Sequence, residues 1–138
     1  MMEIVSISLD ADTLKELNQI QDRLGFRSRS KMIRSTIDLL LNEYKVIDAL
    51  KGVHEVAFVI TYKEGERDHV SAVLHRFESV IRTTIHQHQA QVGLDILNVE
   101  ADAAQIRELF GALKRNRCIK SVNFIHLYYH GQQAQRPR

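Results

Sequence analysis

Three histidines form the pattern in this sequence with the most chemical potential: His75, then His86 eleven positions later, then His88. In an extended segment His86 and His88 project to the same face, about 7 Å apart along the chain. Neutral imidazoles gathered in threes are ligands for zinc, nickel, copper or cobalt. By spacing alone the default reading is scattered surface histidines, since seven histidines occur in 138 residues. A metal-dependent enzyme would also need a general acid or base beside the open coordination position. The nearby acids Glu78, Asp95 and Glu100 have no diagnostic spacing, so catalysis is not expected.

A second group is basic. Arg23, Arg27, Arg29, Lys31 and Arg34 fall within twelve residues that contain no acid, although the formal net charge of the whole chain is only +2. A local patch survives a nearly neutral total. Ser30 lies inside it, where a helix N-terminus flanked by Arg27, Arg29 and Lys31 would suit a phosphate. The single cysteine, Cys118, excludes an internal disulfide and a Cys-rich zinc module. No apolar run approaches the ~20 residues of a membrane span. The opening stretch lacks a basic segment followed by a long apolar one, so a cytoplasmic location is expected.

The elements that must position these groups follow from hydrophobic period. Residues 4–9 alternate as a strand, with Val5, Ile7 and Leu9 on one face and Ile4, Ser6 and Ser8 on the other. Asp10 or Asp12 can cap a helix bearing Leu14, Leu17, Ile20 and Leu24, which Gly25 stops. Ser28 or Ser30 caps a second helix with Met32, Ile33, Ile37, Leu40 and Leu41 in one stripe, running to Tyr44 or as far as Leu50. A lone strand has no ladder partner here, and about fifty residues bury too little surface to stand alone. A second copy of the strand, antiparallel about a two-fold axis, resolves both problems.

These parts, IVSISLD, LKELNQI, Gly25-Phe26 and RSRSKMIRSTIDLLL, resemble the ribbon-helix-helix transcription factors over residues 3–44. The resemblance implies an obligate dimer whose ribbon enters the major groove of double-stranded DNA, with Ile4, Ser6 and Ser8 toward the bases. Arg27, Arg29, Ser30 and Lys31 would then anchor phosphates.

From residue 52 onward the pattern reads strand (53–62), helix (Val70, Val73, Leu74, Phe77), strands (82–88 and 92–99), a helix opened by Asp102 (Ile106, Leu109, Phe110, Leu113), and a strand (119–128). This β-α-β-β-α-β order is ferredoxin-like. The expected class is therefore α+β: a DNA-binding domain over 1–50, a ferredoxin-like domain over 51–130, and a flexible polar tail over 131–138.

With the H-x(10)-H-x-H interval, the whole arrangement is similar to the NikR-type nickel-responsive regulators. Those join a ribbon-helix-helix module to an ACT-type domain and form tetramers. The resemblance implies His86 and His88 as a strand pair of metal ligands and His75 as a ligand given in trans by another subunit. It also implies nickel or another divalent transition metal as cofactor, a palindromic operator as partner, and a repressor-like homotetramer. The chain departs from the family pattern where its cysteine ligand would stand. Six residues beyond His88 is Leu94, with Gly93 beside it in a stretch about one residue shorter, so no thiolate is available. Water, Asp95 or Gln89 could complete a tetrahedral or octahedral site. Lys31 and Ser35 stand where family acids help hold an interdomain cation. The alternative is a ribbon-helix-helix regulator with a degenerate metal site that answers a small molecule or nothing.

Overall fold

The computed structural model describes residues 1–131, which divide into two compact units between Lys45 and Val46. In the first, α1 (Ala11–Leu24) begins where Asp10 accepts the Thr13 amide at 2.7 Å and its hydroxyl at 2.9 Å. Of the two possible caps, then, Asp10 serves, and these bonds hold its carboxyl below the usual carboxylate range. Gly25, at φ 71°, ends the helix in the left-handed conformation that a Cβ would strain. Ser28 caps α2 (Arg29–Asp48) by accepting the Lys31 amide at 3.1 Å.

The strand expected over residues 4–9 does not form within one chain. Residues 1–10 pair with no strand among the described residues, and Ile4 and Val5 stand 97% and 82% exposed. The cause is the one that makes the segment need a twin: a strand exists only as half of a ladder. Likewise α1 buries no residue, and Ile20, Leu24, Ile37, Leu40 and Leu41 remain exposed. This unit has an apolar surface and almost no core of its own.

The second unit builds a four-stranded antiparallel sheet, ordered β2-β3-β1-β4, from β1 (Val53–Lys63), β2 (Ile81–Gln89), β3 (Val92–Asp102) and β4 (Ile119–Gly131). With α3 (Arg67–His75) and α4 (Ala103–Arg115) this is the expected ferredoxin-like order. Strict alternation along β1 sends Val56, Phe58, Ile60 and Tyr62 inward, where Val70, Leu97, Val99, Ile106, Leu109 and Leu113 meet them. The last turn of α2 contributes Ile47 to this core. Asp102 and Gln105 close a reciprocal capping box at the start of α4.

The opposite sheet face carries Ala57, Val59, Leu94 and Ile96 with Ile85 and Ile125, the last two 53% exposed. β4 continues to Gly131, and residues 132–138, expected as a flexible tail, lie outside the described residues.

Candidate metal centre

The β2–β3 hairpin pairs His86 with Asp95 and His88 with Gly93, while β1 pairs Tyr62 with the same Gly93. Directly paired residues share a face, so His86, His88, Tyr62 and Asp95 converge on the helix-covered side of the sheet. Just past β1, a single 3-10 turn (Glu64–Glu66) turns Glu64 toward them; its amide is held by the Gln91 carbonyl at 2.8 Å. Donor atoms of Glu64, His86 and His88 all lie within 4.8 Å of one another.

Asp95 organises this group. Buried at 5% exposure, its Oδ1 accepts from His86 Nδ1 at 2.6 Å and from the Tyr62 hydroxyl at 2.9 Å. A carboxylate there fixes the imidazole proton on Nδ1 and leaves the Nε2 lone pair free to bind a cation. Desolvation, reinforced by Asp95, raises the Tyr62 hydroxyl far above the ordinary tyrosine range, so it remains a donor. His86 Nε2 and Glu64 Oε2 are both sealed from solvent without a hydrogen-bond partner. Buried polar atoms are normally satisfied, so two unpartnered atoms on neighbouring side chains make a candidate place for a cation. Two imidazoles and a carboxylate fit a divalent transition ion.

His75 does not join this group within one chain. It ends α3, its Nδ1 lies 3.1 Å from Glu78 Oε2, and it borders with His86 and Asp95 a cavity of about 350 Å³. Asp95, one of the possible ligands read from the sequence, is instead bonded to His86 and Tyr62. Gln89 is exposed and pairs with Val92 on the face opposite His86 and His88, outside the converging group. Leu94 pairs with Gln87 and faces the other side of the sheet, so the residue opposite His88 is Gly93. Glu64 was not apparent in the sequence. The signal for it was the short K-E-G-E-R-D turn directly after a strand whose end is in register with Gly93.

In the first unit Ile4, Ser6 and Ser8 are exposed, as are Arg27, Arg29, Ser30 and Lys31 at the start of α2. The first helical bond of α2 runs from the Met32 amide to the Ser28 carbonyl, so the amides of Arg29 and Ser30 lie before it, where an anion can bind. Arg29 is steadied by Asn18 of α1 at 2.7 Å.

A two-helix unit with an unpaired leading segment, joined to a sheet that gathers imidazoles, defines a transcription regulator with a metal-sensing module. Residues 3–44 match the family of ribbon-helix-helix proteins of the copG type, and residues 59–127 match the NikR C-terminal nickel-binding domain. A candidate nickel-responsive regulator from Methanococcus maripaludis strain C5 is 31% identical over 125 residues, covering 88% of this chain and 89% of its own. Another, from Methanocaldococcus jannaschii, is 29% identical over 135 residues, covering 95% and 96%. Among solved structures, the uncharacterized protein TM1266 from Thermotoga maritima shares the fold over 55% of this chain and 99% of its own, with a TM-score of 0.51 at 18% identity. The chain belongs to the NikR-type nickel-responsive regulator family.

Proposed function

We propose that this chain is a metal-responsive, repressor-like regulator acting in the cytoplasm as a homotetramer on a palindromic operator. The observation that carries this reading is His86, whose Nδ1 is fixed on Asp95 while Nε2 is buried and unpartnered beside Glu64 and His88. His86 and His88 hold the ion, and His75 reaches it from a second copy, since it stays outside the group within its own chain. The bound ion supplies a positive charge that binds donors of two copies together. The half-exposed sheet face bearing Val59, Ile85, Ile96 and Ile125 is the surface on which further copies would pack. No described helix is long and apolar enough to cross a membrane.

In the other unit, two copies of residues 4–9 pair as a ribbon and enclose Val5, Ile7 and Leu9 between them. Ile4, Ser6 and Ser8 then face base edges, while Arg27, Arg29, Ser30 and Lys31 hold phosphates. Serine discriminates weakly among bases, so most of the affinity comes from the phosphate contacts and depends on salt.

Mobility shift on the protein's own promoter tests the reading, first with chelator and then with nickel, zinc, cobalt or copper restored. The expected result is a shift that one of these ions switches and that His86→Ala makes metal-independent. A shift indifferent to chelator and to every ion would instead support the degenerate-site regulator.

A further inference from the structure

Building on the metal centre proposed above, we infer that Glu64 supplies an oxygen ligand in the space left by the missing thiolate, making this an all nitrogen-and-oxygen site. The register leaves Gly93 opposite His88, and a Cβ built on Gly93 would meet Glu64 Oε2 at 2.8 Å and Tyr62 Cε2 at 2.6 Å. The carboxylate therefore occupies the room that any side chain at position 93 would need.

The position of the carboxylate favours a ligand over a surface acid. Oε2 is sealed from solvent with no hydrogen-bond partner, and Oε1 lies 3.5 Å from His86 Nε2, which has no proton to donate when the imidazole proton sits on Nδ1. Its other neighbour, Arg67, is 3.8 Å away and half exposed, a loose pair that an ion easily displaces. A buried carboxylate oxygen without a partner is costly, and a cation shared with His86 Nε2 relieves both orphans at once. The exchange of sulfur for oxygen also changes the ion. A thiolate favours square-planar nickel, whereas imidazoles with a carboxylate suit octahedral or tetrahedral ions, including cobalt and zinc.

The test is titration of the full-length apo protein with Co²⁺ and Ni²⁺ alone, read by affinity and by the visible spectrum of bound cobalt. For the native chain we expect d–d bands with no sulfur charge-transfer band. Glu64→Gln should lower affinity for both ions by about tenfold or more, since even outer-shell partners are worth 10–100-fold, and should alter the cobalt bands. Arg67→Ala should leave affinity equal or higher. If Glu64→Gln binds as the native chain does while His86→Ala does not bind, Glu64 is no ligand and the histidine centre stands. If His86→Ala also binds unchanged, the centre itself is wrong.

Discussion

Asp95→Asn separates metal binding from folding, because the two should move in opposite directions. Asp95 is a buried acid whose partners are a tyrosine hydroxyl and an imidazole, with no Lys or Arg among its hydrogen bonds. In the metal-free protein its charge is costly to bury. The isosteric amide keeps an acceptor for Tyr62 and His86 and removes that charge, so unfolding of the apo variant should occur at equal or higher denaturant concentration than for the native chain. With metal the balance reverses. The carboxylate raises the basicity of His86 Nε2, and outer-shell partners of this kind are worth about 10–100-fold in affinity, or about 1.4–2.7 kcal/mol.

That same amount should disappear from metal-induced stabilisation, because the shift at saturating ligand tracks the logarithm of affinity. Paired denaturation curves with chelator and with excess Ni²⁺ measure both quantities in one experiment. An Asp95→Asn chain that folds and gains as much stability from nickel as the native one would refute the role given to Asp95. It would also remove the argument that fixes the proton on His86 Nδ1.

Three further outcomes are expected. Gly93→Ala drives a methyl group into the ring of Tyr62, which is 1% exposed and bonded to Asp95; overpacking of about 1–3 kcal/mol against a gain of about 0.4–1 from the stiffer unfolded chain leaves a net loss of about 0–2.6 kcal/mol, centred near 1, in urea unfolding, and a net gain would mean the strand yields freely. Ile7→Ala should raise the dimer dissociation constant by about 10³ or more in sedimentation, because a core truncation of at least about 2 kcal/mol is suffered twice per ribbon; an unchanged constant would place Ile7 outside the interface. Asp10 has a depressed pKa in the folded chain, so its contribution to α1 is present above the ordinary carboxylate pKa and is lost as pH falls through the folded value. Asp10→Asn, which retains a cap, should show a shallower loss of stability between about pH 5 and 2, and identical acid limbs would contradict the cap.

The architecture was legible because it is written in periods. The 3.6-residue stripe of Leu14, Leu17 and Leu24, the two-residue alternation through Val56, Phe58 and Ile60, and the Asp102 cap each state locally what the fold confirms. Where two caps were equally good in sequence, Asp10 with Asp12 or Ser28 with Ser30, only backbone geometry at the first turn chose between them. The candidate metal centre was half legible. His86 and His88 share a face by strand period alone, but no spacing rule brings Glu64 from the end of β1 beside them. Position 93 shows why alignment by counting fails at a hairpin: a one-residue slip exchanges Leu94, which faces the far side, for Gly93, which faces the site. Asp95 was visible as an acid near the site, yet its role depended on Tyr62, thirty-three residues away in sequence.

In the proposed assembly both units leave work that another copy completes, and this would allow a small ion to control DNA binding. Residues 1–10 have no ladder and α1 no buried residue, so the DNA-binding unit depends on its twin whether or not metal is present. His75 stands outside the converging donors, so in the proposed assembly the metal centre would gain its third imidazole only in an arrangement that brings a second copy close. An effector shifts an equilibrium only by its difference in affinity between the two states. Moving an assembly from about 1:99 to 99:1 takes a factor of about 10⁴. In the proposed tetramer four such sites act on one equilibrium, so about tenfold from each is sufficient, the low end of what even an outer-shell bond contributes. A whole imidazole made or lost at each site exceeds that. The switch therefore needs no unusually tight ion, and a site without a thiolate can still work it.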